Sequence, residues 1–180
     1  MNILSLDIAT STGWAVWRNG AVFSGTQSFA TRRGESPGPG LRYLRFTKWL
    51  DDMLREYDID LVVYEIPNQR GGAATEFLLG MVGHMKSCIE KANQYRRDHG
   101  LTTTKPDILF QGVAISTLKK FATGEKGANK DAMVAAARER WPDQAVAAAE
   151  AAEAAAWAEM CAAIREIMPN APGERSPEGR

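Results

Sequence analysis

This sequence has no surplus of positive charge. Lys and Arg together number 22, Asp and Glu together also 22, and the net charge is zero. Nucleic-acid binders commonly carry a basic excess, so any surface for a polyanion must come from local clustering. Cysteine is scarce too. Cys88 and Cys161 are the only two, with no Cys-x-x-Cys pair and no Cys/His ligand spacing. That argues against a disulfide framework and against a zinc centre; both cysteines read as small buried residues on helices. There are only two histidines, and His84 and His99 read as incidental surface positions. No run approaches the ~20 apolar residues of a membrane-spanning helix. Residues 1–6 lack both the length and the basic region of a signal peptide. The expectation is a soluble cytoplasmic protein with no membrane partner.

What is present suffices for a packed core. The 180 residues are 44% hydrophobic, which suits one domain rather than two. That domain is expected over residues 1–168, with a frayed tail at 169–180 where Pro, Gly and charge concentrate. Residues 3–8, 12–17, 21–28, 61–66 and 107–112 read as strands. Arg18-Asn19-Gly20 makes a tight turn between the second and third, because Asn-Gly tolerates positive φ. The first three strands form an antiparallel meander. Apolar spacing predicts helices over 41–57, 73–97, 115–122, 130–140 and 145–168. Asn129 is a natural N-cap for the fourth, and alanine content favours the fifth. Gly80 and Gly83 mark places on the second helix where another element can approach closely. This order predicts an α/β fold, a mixed sheet of about five strands flanked by helices.

Four acids stand out. Asp7 and Glu65 each sit near the end of an otherwise apolar strand, where a carboxylate is costly to bury unless it is paired or bound to a cation. Glu150 and Glu153 lie on one face of an almost pure alanine helix. That spacing fits two readings, a shared divalent cation or a solvated helix face. Oxygen ligands without His or Cys favour Mg²⁺ or Mn²⁺.

At these residues the sequence resembles the RuvC family of Holliday-junction resolvases, within the RNase H-like superfamily. The resemblance runs from residue 3 to about residue 160. Ile3-Leu4-Ser5-Leu6-Asp7-Ile8 with the following Thr12-Gly13-Trp14 is similar to the family's first strand and hairpin. Leu61-Val62-Val63-Tyr64-Glu65 resembles its second acidic strand, and Leu79-Gly80 falls where the family has a Leu-Gly pair. Residues 116–130 resemble its lysine-bearing helix and loop, ending in Gly127-Ala128-Asn129-Lys130. Glu150-Ala151-Ala152-Glu153 matches the Asp-x-x-Asp of its last helix.

The resemblance implies an RNase H-like fold and a crossover junction endodeoxyribonuclease. It implies phosphodiester hydrolysis with two Mg²⁺ (or Mn²⁺) ions about 4 Å apart. Asp7 would bridge both ions, Glu65 would bind one, and Glu150 and Glu153 would bind the other or position the water. Lys119 and Lys130 match lysines near the scissile phosphate, where they would offset charge in the transition state; on residue type alone they read equally as solvated surface lysines. The implied substrate is a four-way DNA junction. Two symmetric nicks imply a homodimer, with the helices over 41–57 and 73–97 as candidate interfaces. The sequence departs from the family twice. Glu150 and Glu153 stand where Asp is usual, and the loop from Pro67 to Glu76 has no aromatic where bacterial members carry one. Such divergence resembles phage-encoded members acting on a broader range of branched DNA.

Local basic groups offset the neutral total. Arg32, Arg33, Arg42, Arg45 and Lys48 form one group, Lys120 and Lys126 lie near Lys119, and Arg70, Arg96 and Arg97 stand elsewhere; all are expected to track phosphates. Tyr43, Phe46 and Trp49 read as core or dimer packing rather than base stacking. Ser11 and Thr12 read as turn chemistry, with a phosphate contact as the alternative. Two other functions fit parts of the chain. One is a branched-DNA scaffold with weakened catalysis. The other is an actin-like or sugar-kinase ATPase fragment, because residues 7–13 resemble that superfamily's first phosphate loop; no second Gly-rich phosphate loop is present.

Overall fold

The computed structural model describes residues 1–35, 38–67 and 71–140. The elements run β1 (Ile3–Asp7), β2 (Ser11–Arg18), β3 (Ala21–Ser28), α1 (Gly40–Glu56), β4 (Leu61–Glu65), α2 (Ala73–Asp98), β5 (Leu109–Val113), α3 (Ile115–Thr123) and α4 (Lys130–Arg140). They form a five-stranded sheet in the order β3-β2-β1-β4-β5. β1, β2 and β3 pair antiparallel, while β1–β4 and β4–β5 pair parallel. The expected mixed sheet with an antiparallel meander is therefore present. The turn between β2 and β3 uses positive φ at Asn19 (52°) and Gly20 (81°).

Alternation along the strands separates two faces. Leu4, Leu6, Val62 and Tyr64 pack with Phe46, Leu50 and Met53 of α1 and Met81, Met85 and Ile89 of α2 in the main core. Ile3, Leu61 and Val63 lie on the other face with Trp17 and Val113. α1 and α2 approach closely at Gly80. A Cβ there would sit 2.7 Å from Tyr43 Cζ and nearer still to its hydroxyl. Gly83 differs from expectation, since nothing lies within 4 Å of its would-be Cβ; it faces away from α1. Tyr43 stacks on Phe77 and on His84, with ring centroids 5.4 and 4.6 Å apart. Phe46 is fully buried, and Trp49 packs against the core. The aromatics of α1 thus serve packing.

Three differences from the sequence reading have physical causes. β5 begins at Leu109 rather than at Asp107. Ile108 is held off the ladder by Asn93, whose side chain accepts from Ile108 N–H at 2.7 Å and donates to its carbonyl at 3.0 Å. The connection after α2 contains a 3₁₀ turn, Leu101–Thr103, where only irregular chain was expected. Gly100 enters it at φ 66°. Arg96 is the clearest correction. It is buried and donates to the carbonyls of Pro106 and Ile59, so it fastens the fold and is withdrawn from phosphate binding. Arg97 is likewise committed to Glu90 and Asp107.

Cys88 is buried as expected. Asn129 caps α4 as expected, its side chain accepting from Ala132 N–H at 2.9 Å. The helix over 145–168, the tail over 169–180, Cys161 and Arg70 lie outside the described residues.

Candidate active site

The site begins with register. β1 and β4 are adjacent parallel strands, and their last ladder pair is Leu6–Tyr64. The next residue of each strand is Asp7 and Glu65, so the two acids end neighbouring strands side by side. Parallel neighbours lie roughly 4.8 Å apart. Both acids share the alternation of Ile3, Leu61 and Val63, which places them on the face away from α1 and α2.

Burial makes this pair chemically unusual. Asp7 is pushed up from an ordinary 3.8 to about 6 by desolvation. Glu65 is pushed up from 4.5 to about 7, first by desolvation and then by the negative charge of Asp7, with Lys119 acting in the opposite direction. Among the described residues neither carboxylate accepts a hydrogen bond or forms an ion pair within 4.0 Å. Two desolvated acids side by side require a proton between them or a cation. A hard, oxygen-seeking divalent cation suits the donor set. The described residues alone supply only this pair, and no group of three or more His, Cys, Asp or Glu suited to a metal occurs among them.

Lys119 reaches the site through β5. Val113 pairs with Glu65, and Ala114 leads directly into α3 with extended backbone (φ −74°, ψ 137°). α3 therefore starts at the strand end that carries Glu65. Buried Leu118 anchors this helix. Thr123 closes it by donating to the Lys119 carbonyl at 2.8 Å, and Gly124 ends it at φ 83°. Lys119 is half-buried and close enough to lower the Glu65 pKa. Lys120 and Lys126 are exposed. Lys130 is the first residue of α4, and its side chain lies outside the described set. Glu150 and Glu153 also lie outside the described residues.

The turn after Asp7 is rigid. Thr12 is fully buried; its hydroxyl donates to the Ala9 carbonyl at 2.8 Å and accepts from Ala9 N–H at 3.2 Å. Thr12 is thus turn chemistry rather than a phosphate ligand. Phe29 N–H donates to Thr10 at 2.8 Å and pins the same turn to the end of β3. Among the α1 basics, Arg45 is held by Glu35 and the Ala30 carbonyl. Arg42 lies over the Phe77 ring, 4.3 Å from its centroid.

No protein-family model matches this sequence, and no curated protein matches it. Solved structures do match. RuvC of Thermus thermophilus superposes with a TM-score of 0.60 at 16% identity, covering 93% of this chain and 96% of that one. T. thermophilus RuvC in complex with a Holliday junction substrate superposes with a TM-score of 0.65 at 13% identity, with the same coverage of both chains. The fold is that of RuvC. The yeast mitochondrial Holliday junction resolvase Ydc2 also matches, with a TM-score of 0.49 at 11% identity over 92% of this chain and 82% of that one. The RuvC likeness bears out the RNase H-like architecture expected from sequence.

Proposed function

We propose that this chain is a metal-dependent, structure-selective endodeoxyribonuclease that cleaves Holliday junctions and other branched DNA. The observation that carries the reading is the Asp7–Glu65 pair, two desolvated carboxylates at the ends of adjacent strands in a RuvC fold. Asp7 and Glu65 would hold a divalent cation, Mg²⁺ or Mn²⁺, and Glu150 and Glu153, which lie outside the described residues, would supply the other two carboxylates for a two-ion site. When bound, such ions supply Lewis acidity that activates water and neutralises the leaving oxygen. The protein's own part is to keep the acids desolvated and fixed by strand ladders and by the Thr12 turn. Lys119 places positive charge beside Glu65, where it would offset charge that builds on the phosphate as it reacts, and Lys130 is the second lysine to which the family resemblance gives that role. A homodimer presents two such sites to the two symmetric strands of a junction.

The test is cleavage of labelled four-way junction, flap and linear duplex with Mg²⁺, Mn²⁺ or EDTA. The reading expects divalent-dependent cutting that favours the branched substrates and is lost in Asp7→Asn. A second reading rests on Glu150 and Glu153 standing where RuvC-like sequences have Asp. It makes the chain a branched-DNA scaffold, and predicts junction binding with no cut product under any metal.

A further inference from the structure

The edge of the sheet carries a surface that the paired acids do not use. Phe110 of β5 is 47% exposed and Ile66, just after β4, is 48% exposed. Phe110 pairs with Val62, so it lies on the α2 face, opposite to the acids. Lys86 of α2 reaches over this patch, its Nζ 5.4 Å from the Phe110 ring centroid and 5.9 Å from that of Tyr64. Lys86 is exposed and forms no ion pair among the described residues. Gly112 keeps the patch flat. A Cβ there would meet Ile66 at 2.8 Å and the Tyr64 ring at 3.1 Å.

A large exposed aromatic beside an unneutralised lysine is a poor surface for core packing and a good one for an unpaired nucleotide. The ring offers a stacking face to any base, and the ammonium offers a phosphate contact. A second protein copy fits less well, because burying Lys86 unpaired would cost more than the apolar contact gains. The patch also lies close to the acids along the sheet. Phe110 precedes Val113, the partner of Glu65, by three residues, roughly 10 Å of strand.

We propose that Phe110 and Lys86 form a nucleotide-stacking site for an unpaired or splayed segment of a DNA strand, with the base on the Phe110 ring and a flanking phosphate at Lys86. This rests on the branched-DNA reading, since such segments occur where duplex arms meet. The site lies on the other face of the sheet from Asp7 and Glu65, so it selects and holds DNA and takes no part in bond cleavage.

The experiment is anisotropy binding of a fluorescent oligothymidylate and of a linear duplex to the full chain in EDTA, where no cutting occurs. Phe110→Leu keeps the apolar bulk, and Phe110→Tyr keeps the ring. Phe110→Leu is expected to weaken oligothymidylate binding at least roughly fivefold, the low end of what one stacked base contributes. Phe110→Tyr is expected to restore it, and duplex binding to change far less. Lys86→Gln is expected to flatten the logarithmic salt dependence by roughly 0.7, one single-strand phosphate contact. Equal oligothymidylate binding by wild type, Phe110→Leu and Lys86→Gln would overturn the proposal. So would a shift from dimer to monomer in Phe110→Leu, seen by sedimentation with binding intact, which would assign the patch to a second copy. Failure of the wild type to cut DNA, with this binding pattern retained, would count against the nuclease reading alone.

Discussion

Replacing Asp7 by Asn should make the metal-free protein more stable at neutral pH while removing its response to divalent cations. The folded state raises the Asp7 pKa from 3.8 to about 6 by desolvation. A shift of about two units corresponds to about 3 kcal/mol of penalty on the ionised form. The sign follows from linkage. A carboxyl with a raised folded pKa carries no penalty below its unfolded pKa, where both states are protonated. Stability is lost as pH rises from about 4 through about 6, and the penalty is complete above that. Asn is close to the protonated acid in shape and polarity, so its own burial cost nearly cancels in the comparison. At pH 8 in EDTA, Asp7→Asn should therefore melt roughly 6–12 °C above wild type for a chain of this size. At pH 3, below the unfolded pKa, the difference should vanish. Mg²⁺ should raise the wild-type melting temperature at pH 8 and leave that of the variant nearly unchanged, because binding to the folded state alone stabilises it. Differential scanning calorimetry across pH, with and without Mg²⁺, checks each part. A variant less stable than wild type at pH 8, or one that keeps the full Mg²⁺ response, refutes the assignment of Asp7 as a desolvated cation ligand.

Other outcomes follow from single contacts. Lys119→Met removes the charge that lowers the Glu65 pKa, so the acid limb of the cleavage pH profile should move to higher pH and the maximal rate should fall. Asn93→Ala strands the N–H and C=O of buried Ile108 and should cost about 2–4 kcal/mol in urea unfolding, with β5 loosened first in hydrogen exchange. Gly80→Val drives a side chain into Tyr43, which is stacked between Phe77 and His84. It should cost about 1–3 kcal/mol, and pairing it with Tyr43→Leu should recover part of that loss.

Much of the fold was legible because the strands advertise their burial. Ile3 to Leu6, broken only by Ser5, and Leu61 to Tyr64 are apolar runs, and the structure makes them adjacent parallel strands inside the sheet. That same pattern exposed Asp7 and Glu65 as acids out of place. The sheet order was not legible, since pairing across the chain depends on contacts between distant residues. Hence the strand-end adjacency of the two acids emerged only with the register. Arg96 was misread because its type suggests phosphate contact. Its spacing tells otherwise: it continues the buried series Met81, Met85, Cys88, Ile89 and Asn93 along α2. Lys119 was placed by family resemblance alone, and composition gives no reason to prefer it to Lys120. The structure separates them, with Lys119 half-buried and felt by Glu65 while Lys120 is exposed. The exposed Phe110 gave no sequence signal, because an edge strand reads like any other apolar run until its neighbour proves absent on one side among the described residues.

The central claim is that the paired strand-end acids hold catalytic metal. Anomalous diffraction from crystals soaked in Mn²⁺ tests it most directly. The account predicts a Mn²⁺ peak within about 2.3 Å of carboxylate oxygens from both Asp7 and Glu65, lost in crystals of Asp7→Asn. Well-ordered, ionised Asp7 and Glu65 with no metal between them, or Mn²⁺ bound only elsewhere on the chain, would contradict it.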